Sequence, residues 1–152
     1  MQGETVNPMD KLEIFEVNEA APCYVEPMNR LLAQLSSSGV GITFEQLQLL
    51  VECEASHLFL GRYNGAIVAM LTLGEYLAPT GRKMWIEDVV VDVAARGHSF
   101  GRAMVEHAKE YAKGLGRGTL MLTSRPSRVA ANALYRSCEF EQKETNVYKM
   151  NI

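Results

Sequence analysis

Two adjacent carboxylates, Glu87 and Asp88, stand in the otherwise apolar stretch Trp85-Ile86-Glu87-Asp88-Val89. Acidic residues are depleted in β-strands, so a pair at this place serves either structure or chemistry. A carboxylate in such a strand can accept a proton from a substrate, or it can cap a loop or pair with an arginine. Strand alternation predicts Glu87 on one face with Trp85, Val89 and Val91, and Asp88 on the other with Ile86 and Val90.

A second stretch suited to chemistry, residues 91–102, joins the same strand to a helix. Free backbone N–H groups at such a junction, together with the positive end of the helix dipole, form an anion site. Gly97 and Gly101 lack side chains that would hold a phosphate away from the backbone, and Arg96 and Arg102 add positive charge suited to a pyrophosphate. The spacing is neither that of a Walker loop nor that of a dinucleotide fingerprint. The alternative is an ordinary glycine-containing turn whose arginines face solvent.

A third group lies on the last predicted helix. Arg128, Asn132 and Tyr135 are four and three residues apart, so they form one stripe, although periodicity alone favours a solvated face. Ser124 or Ser127 could cap this helix, or the hydroxyls before it could contact an anionic ligand. Capping does not account for the arginines between residues 123 and 128, which are also suited to an anionic ligand.

The cysteines and histidines do not add a metal or redox site. No two cysteines have the close spacing of a zinc knuckle or a redox motif, and no histidine clusters with them at metal-ligand spacing. We therefore expect reduced structural thiols and no metal. The residues concerned are Cys23, Cys53 and Cys138, and His57, His98 and His107.

The elements that must position these residues follow from periodicity and turn signals. Thr43 followed by Gln46 predicts a capping-box helix start, and Asn64-Gly65 predicts a hairpin. The order β-α-α-β-β-β-α-β-α-β predicts an α/β (α+β) chain with a mixed sheet and helices on both faces. Strands are predicted over residues 11–17, 57–63, 66–73, 84–93, 119–123 and about 146–152, and helices from Pro27 to about Leu35, after Thr43, over 100–115 and over 127–138.

Composition limits the class of protein. The length of 152 residues, with 47% hydrophobic and 22% charged residues, predicts a single domain, placed over residues 11–152. Residues 1–10 are polar and are expected to form a loose tail. A formal charge of −3 is too balanced for a general nucleic-acid or anionic-membrane binder. Because the sequence has neither a membrane-length apolar run nor an export signal, we expect a cytoplasmic protein.

The stretch Arg96-Gly97-His98-Ser99-Phe100-Gly101 resembles the Gln/Arg-x-x-Gly-x-Gly/Ala signature of the GNAT superfamily of acyl-CoA-dependent N-acyltransferases. Ala130-x-x-x-Leu134-Tyr135 followed by Phe140 resembles the second signature, Ala-x-x-x-Tyr-x-x-x-Gly-Phe. The order of elements is also similar from the first strand to the last. Two glycines of these signatures are replaced, by Ser99 and by Glu139. Ser99 weakens the expected cofactor binding without excluding it, and Glu139 is expected to change only the local turn unless that position needs a positive φ.

The resemblance implies a mixed, mainly antiparallel sheet of six to seven strands flanked by four helices. It also implies that the strand ending at Val91 splays from its neighbour and binds the pantetheine arm of acetyl-CoA through its backbone. Arg128 and Asn132 are implied as further cofactor contacts. The implied cofactor-binding residues of the strand and the loop are Val89, Val90, Val91, Arg96, Gly97, His98, Ser99, Phe100, Gly101 and Arg102.

The activity implied is transfer of an acetyl group from acetyl-CoA to a primary amine, with no metal. Glu87 is the expected base and Tyr135 the expected general acid at the CoA sulfur. Cys138 has no evident catalytic partner, which favours direct transfer in a ternary complex over an acyl-enzyme. A small-molecule acceptor is expected, with a protein amine or a non-catalytic CoA sensor as alternatives. A homodimer is left open, and neither nucleic acid nor membrane is an expected partner.

Overall fold

The elements of the fold follow the predicted order as far as the fourth helix. The computed structural model describes residues 11–36 and 39–152, so the predicted tail over residues 1–10 lies outside the described residues. Short 3-10 turns at Pro22–Tyr24 and Val93–Ala95 precede the first helix and follow the fourth strand. The main elements are β1 (Glu13–Glu16), α1 (Val25–Leu35), α2 (Phe44–Glu52), β2 (Ser56–Tyr63), β3 (Ala66–Ala78), β4 (Gly81–Val91), α3 (Phe100–Leu115), β5 (Gly118–Met121) and α4 (Val129–Ser137).

In the described ranges the sheet has five strands in the order β1-β2-β3-β4-β5, antiparallel except for the parallel pair β4–β5. The expectation of six to seven strands is therefore wrong, because the strand predicted near residues 146–152 is not formed. The apolar residues that suggested it lie at the surface, so burial does not stabilise a strand there. These residues are Val147, Tyr148, Met150 and Ile152, all more than 70% exposed.

Two local signals act as predicted. The side chain of Thr43 accepts a hydrogen bond from the backbone of Gln46, and the Gln46 side chain accepts one from the backbone of Thr43, so the capping box is complete. Asn64 and Gly65 have φ of 50° and 80°. These left-handed values are those of a type I′ turn, which matches the twist of the β2–β3 hairpin.

Helices cover both faces of the sheet. Met28 and Leu31 of α1 and Leu47 of α2 are buried in one cluster with Met70 and Val90 of the sheet. On the opposite face the ring of Phe59 packs edge-on against His107 and Tyr111 of α3, at centroid distances of 5.0 Å. Strands β2, β3 and β4 thus have buried residues on both faces of the sheet, and these residues fix the register of the strands.

The described residues form two compact units that divide between Leu122 and Thr123. The first holds the five-stranded sheet with α1, α2 and α3, and the second holds α4 and the C-terminal segment. None of the helices in the described ranges has the length and apolar character needed to span a bilayer.

Candidate active site

A β-bulge at Asp88 changes the faces on which the following side chains of β4 lie. The pairing of β4 with β3 shifts by one residue between Glu87, which lies opposite Thr72, and Val90, which lies opposite Met70. Asp88 takes the extra place with φ 52°, in the left-handed region. Because Thr72 and Met70 point to the same face of β3, Glu87 and Val90 share the α1 face.

The predicted alternation through this stretch is therefore wrong beyond Glu87. Val91 lies opposite Ala69, which places it on the α3 face, and alternation places Val89 there too. Trp85, opposite Gly74, does share the face of Glu87 as predicted. Sequence periodicity missed the bulge because it assumes an unbroken period of two.

Glu87 is accessible, and the pKa of its carboxyl is raised. Both Glu87 and Asp88 are exposed, and neither forms an ion pair with any residue in the described part of the chain. Partial burial, and then the negative charge of Asp88, raise the pKa of the Glu87 carboxyl above its usual range. A raised pKa makes a carboxylate a stronger base, since it binds a proton more tightly.

The same half of β4 has an open backbone edge. β5 pairs with β4 only from Arg82 to Trp85, and beyond that no described strand lies on this side of β4. From Ile86 to Val91 the strand is paired with β3 alone. An open strand edge can hydrogen-bond an extended, amide-bearing ligand as an added strand would.

The open edge leads into the N-terminus of α3. The first helical N–H groups have no partner within the helix, and the N-cap residue, Ser99, makes no side-chain capping bond. The helical hydrogen bonds begin with the Ala103 N–H, which donates to the Ser99 carbonyl at 3.1 Å. Gly97 has φ 90° and open space around it, and Arg96 is exposed. This segment therefore presents donors and positive charge that suit a phosphate.

Three rings hold the loop that carries these donors. The His98 ring stacks on Phe100 at 5.2 Å between centroids, and both contact Tyr63 at the end of β2, at 5.6 and 4.9 Å. Phe100 is buried, whereas His98 remains exposed. The His98 side chain thus packs in a ring cluster, a role that the sequence did not indicate.

In the second unit, Asn132 organises the turn before α4. Its side-chain amide donates to the carbonyl oxygens of Arg125 and Arg128, at 2.9 Å each. The N-cap of α4 is Arg128, without a side-chain capping bond, so the predicted caps at Ser124 and Ser127 are wrong. The Ser124 hydroxyl oxygen is buried and has no hydrogen-bond partner among the described residues.

Tyr135 lies in the last turn of α4 and is partly buried. Its ring meets Phe140 edge-on at 6.3 Å, and the Phe140 N–H donates to the Tyr135 carbonyl at 3.0 Å. Burial raises the pKa of the Tyr135 phenol, and the positive charge of Arg128 partly opposes that rise. The phenol therefore keeps its proton over the physiological range.

Some site features had little signal in the sequence. Arg30 and Gln34 on α1 contact Asp92 directly after β4. Their four-residue spacing places them on one face of α1, which could have linked them to each other but not to Asp92. Within the described ranges, no group of three or more histidine, cysteine or acidic residues is arranged to hold a metal.

The chain is similar in sequence to known acetyltransferases. The model of the acetyltransferase (GNAT) family matches residues 24–140, so the chain belongs to this family. It is 32% identical over 110 residues to glucosamine 6-phosphate N-acetyltransferase 1 of Oryza sativa subsp. japonica. That match covers 68% of this chain and 63% of the rice protein, so the chain spans less than two thirds of its relative.

Solved structures agree with the fold. A putative acetyltransferase from Agrobacterium tumefaciens superposes with a TM-score of 0.79 and 27% identity, over 91% of this chain and 99% of that one. The glucosamine-6-phosphate N-acetyltransferase of Arabidopsis thaliana superposes with a TM-score of 0.77 and 22% identity, over 93% and 99% of the two chains. At 22% identity, the similarity to the Arabidopsis protein shows a shared fold only.

Proposed function

We propose that this protein is an N-acetyltransferase that transfers an acetyl group from acetyl-CoA to the primary amine of a small molecule. Membership of the acetyltransferase family supports the reaction. The observation that carries the proposal is the open edge of β4 from Ile86 to Val91, which continues into the uncapped N-terminus of α3. This continuous stretch suits a ligand with an amide-bearing arm and a pyrophosphate.

The backbone of Val89, Val90 and Val91 would hydrogen-bond the pantetheine arm, as an added strand does. The N–H groups from Gly97 to Arg102 would bind the pyrophosphate, with Arg96 and Arg102 adding charge. Ser99 supplies a backbone N–H in place of the family's glycine. Arg128 is a further proposed cofactor contact. Asn132 contributes through the turn it holds, because its amide already donates to two carbonyl oxygens.

Glu87 is the proposed base. An amine of pKa near 10 is neutral in only about one molecule in a thousand at pH 7, so attack on the thioester needs a proton acceptor. The raised pKa of Glu87 and its freedom from ion pairs among the described residues support this role. Glu87 lies on the same face of the sheet as Trp85 and Val90, so a base at this position would receive the amine from that face.

Tyr135 is the proposed general acid. As the thioester C–S bond breaks, the leaving thiolate takes up a proton, and the phenol of Tyr135 would donate it. A phenol with a raised pKa holds its proton at neutral pH, so that proton is available when the thiolate forms. Direct transfer from acetyl-CoA to the amine is proposed, without an acyl-enzyme on Cys138.

The acceptor class is supported by the named relative. The rice protein is a glucosamine 6-phosphate N-acetyltransferase, and it is 32% identical over 68% of this chain. Amino sugars and their phosphates are therefore the first acceptors to assay, with free polyamines and N-terminal peptides as comparison sets.

Calorimetry with acetyl-CoA and release of free thiol in the presence of each amine test the proposal. We expect binding, together with turnover on at least one small amine. Turnover on peptides alone would contradict the small-molecule acceptor. Binding without transfer to any amine would contradict catalysis and favour a sensor. Absence of binding would overturn both.

A further inference from the structure

Asp92, the residue that follows β4, is tied to helix α1. Its carboxylate accepts hydrogen bonds from Arg30 Nε and from Gln34 Nε2, at 3.4 Å each. Gln34 Oε1 in turn accepts from the backbone N–H of Val93 at 2.8 Å. Arg30 and Gln34 lie one helical turn apart and therefore reach the same segment. We name Arg30, Gln34 and Asp92 the α1 network.

The α1 network also reaches the start of β3 and the turn that follows β4. The Asp92 N–H donates to the Val68 carbonyl at 2.7 Å, and Arg30 Nη2 donates to the Ile67 carbonyl at 3.0 Å. The Asp92 carboxylate accepts from the Ala94 N–H at 3.0 Å and so caps the 3-10 turn over Val93–Ala95. The direction in which the chain leaves β4 is thus fixed from two neighbouring elements.

The charge of Asp92 argues for a positional role. The carboxylate lies four residues before Arg96, where the segment proposed to bind the pyrophosphate begins. A negative charge beside an anion site weakens anion binding unless it is compensated. Arg30 forms an ion pair with Asp92, and the Asp92 side chain is only 13% exposed. The carboxylate therefore acts as a hydrogen-bond acceptor that orders the loop.

We propose that Arg30 and Gln34 are positioning residues for acetyl-CoA, which act by fixing Asp92. They set the path between the open edge of β4 and the phosphate-binding segment from Arg96 to Arg102. The inference rests on the proposed function, and it assigns to α1 a contribution to cofactor affinity without contact with the cofactor. Pre-ordering of a loop raises affinity because less conformational freedom is lost on binding.

Two variants test this inference, because they change the charge of the network differently. Gln34→Ala removes two hydrogen bonds without a change of charge. Asp92→Asn removes a negative charge near the anion site and also breaks the ion pair with Arg30. Glu110→Gln is the matched control, since it breaks an exposed ion pair with Lys113 at the far end of α3. Thermal unfolding of each variant confirms that it is folded.

We expect both network variants to raise the Kd of acetyl-CoA about five- to tenfold, a range that corresponds to the loss of one or two loop-ordering hydrogen bonds. The kcat at saturating acetyl-CoA should stay within about twofold of the wild-type value, whereas a general loss of packing would lower it. The Glu110→Gln control should bind as the wild type does.

Two results would overturn this inference but leave the proposed function intact. They are a Gln34→Ala variant with the wild-type Kd for acetyl-CoA, and an Asp92→Asn variant that binds acetyl-CoA more tightly than the wild type does. The second result would mean that Asp92 acts through its charge. A wild-type protein that does not bind acetyl-CoA would overturn the proposed function and this inference together.

Discussion

The phenol oxygen of Tyr111 on α3 lies 3.1 Å from Nδ1 of His57 on β2. Both side chains meet the same carboxylate, because Glu16 Oε1 accepts from the Tyr111 hydroxyl at 3.2 Å and lies 3.0 Å from His57 Nδ1. Glu75 approaches the other ring nitrogen of His57 at 3.7 Å and forms an ion pair with Arg82 at 3.0 Å. This polar cluster joins α3 to the sheet. Burial, and then the hydrogen bond to Glu16, raise the pKa of Tyr111 to about 12.

The raised pKa of Tyr111 predicts a loss of stability at alkaline pH. Below pH 10 both the folded and the unfolded states hold the phenolic proton, so the contribution is fully present. Between pH 10 and about 12 the unfolded state releases its proton first, and the free energy of unfolding falls. Tyr111→Phe lacks this contribution, and Tyr76→Phe, at an exposed side chain, is the control. Urea unfolding at stepped pH should show the wild-type advantage over Tyr111→Phe shrinking above pH 10. A constant difference would contradict the prediction.

Backbone conformation predicts opposite effects of an alanine substitution at Gly97, in the loop before α3, and at Gly114, within α3. Gly97 has φ 90°, whereas Gly114 lies inside α3, and an added Cβ would meet open space at both. Gly97→Ala should lower stability by about 1–2 kcal/mol because alanine is strained at that φ. Gly114→Ala should raise it by about 1 kcal/mol through helix propensity. Chemical denaturation measures both, and destabilisation of similar size at the two sites would contradict the argument.

At Ser99 the opposite substitution, to glycine, is expected to be stabilising. It holds φ 61° and makes no capping bond with its side chain, so its hydroxyl contributes nothing there to helix capping. Ser99→Gly should raise stability by up to about 1 kcal/mol, because relief of left-handed strain exceeds the added freedom of the unfolded chain. The Kd of acetyl-CoA should not increase, since the backbone N–H is kept. A less stable Ser99→Gly protein would mean that the hydroxyl has a structural partner in solution.

Features governed by local rules were predictable from the sequence. The capping box at Thr43 and the Asn64-Gly65 turn each depend on a few adjacent residues, and both form as predicted. The helix over residues 100–115 also has the predicted bounds. Its apolar stripe ends at Leu115, and Gly116 directly after it ends the helix. The resemblance to the family further marked Ser99 and Glu139 as replaced glycines, and both adopt a positive φ.

Features that depend on pairing were not predictable from one sequence. The bulge at Asp88 arises from the register between β3 and β4, and it reverses the faces of Val89 and Val90 relative to simple alternation. The apolar segment from Val147 to Ile152 has strand-like composition but remains exposed. The bonds from Arg30 and Gln34 to Asp92 cross about sixty residues, so no spacing rule marks them.

The role proposed for Glu87 predicts the acid limb of the pH–rate profile. kcat/KM should rise with pH as Glu87 loses its proton, at a pH above the usual range for glutamate. Glu87→Gln should lower kcat about 100-fold or more and abolish that limb. Asp88→Asn should keep most of the activity and move the limb to lower pH, because the Asp88 charge helps to raise the pKa of Glu87. An unmoved limb in both variants would exclude Glu87 as the base.

The role proposed for Tyr135 predicts a defect that depends on the leaving group. Tyr135→Phe should lower kcat about 100-fold with little change in the Kd of acetyl-CoA, because a general acid acts at the transition state. An acetyl thioester whose thiol is more acidic than that of CoA has a leaving group that needs less protonation. With such an acetyl donor, the ratio of the wild-type rate to the Tyr135→Phe rate should therefore be smaller than with acetyl-CoA. Tyr148→Phe, at an 89% exposed side chain, controls for loss of a hydroxyl elsewhere. A rate ratio that is the same for both donors would assign Tyr135 a structural role, and an unchanged kcat would remove it from the mechanism.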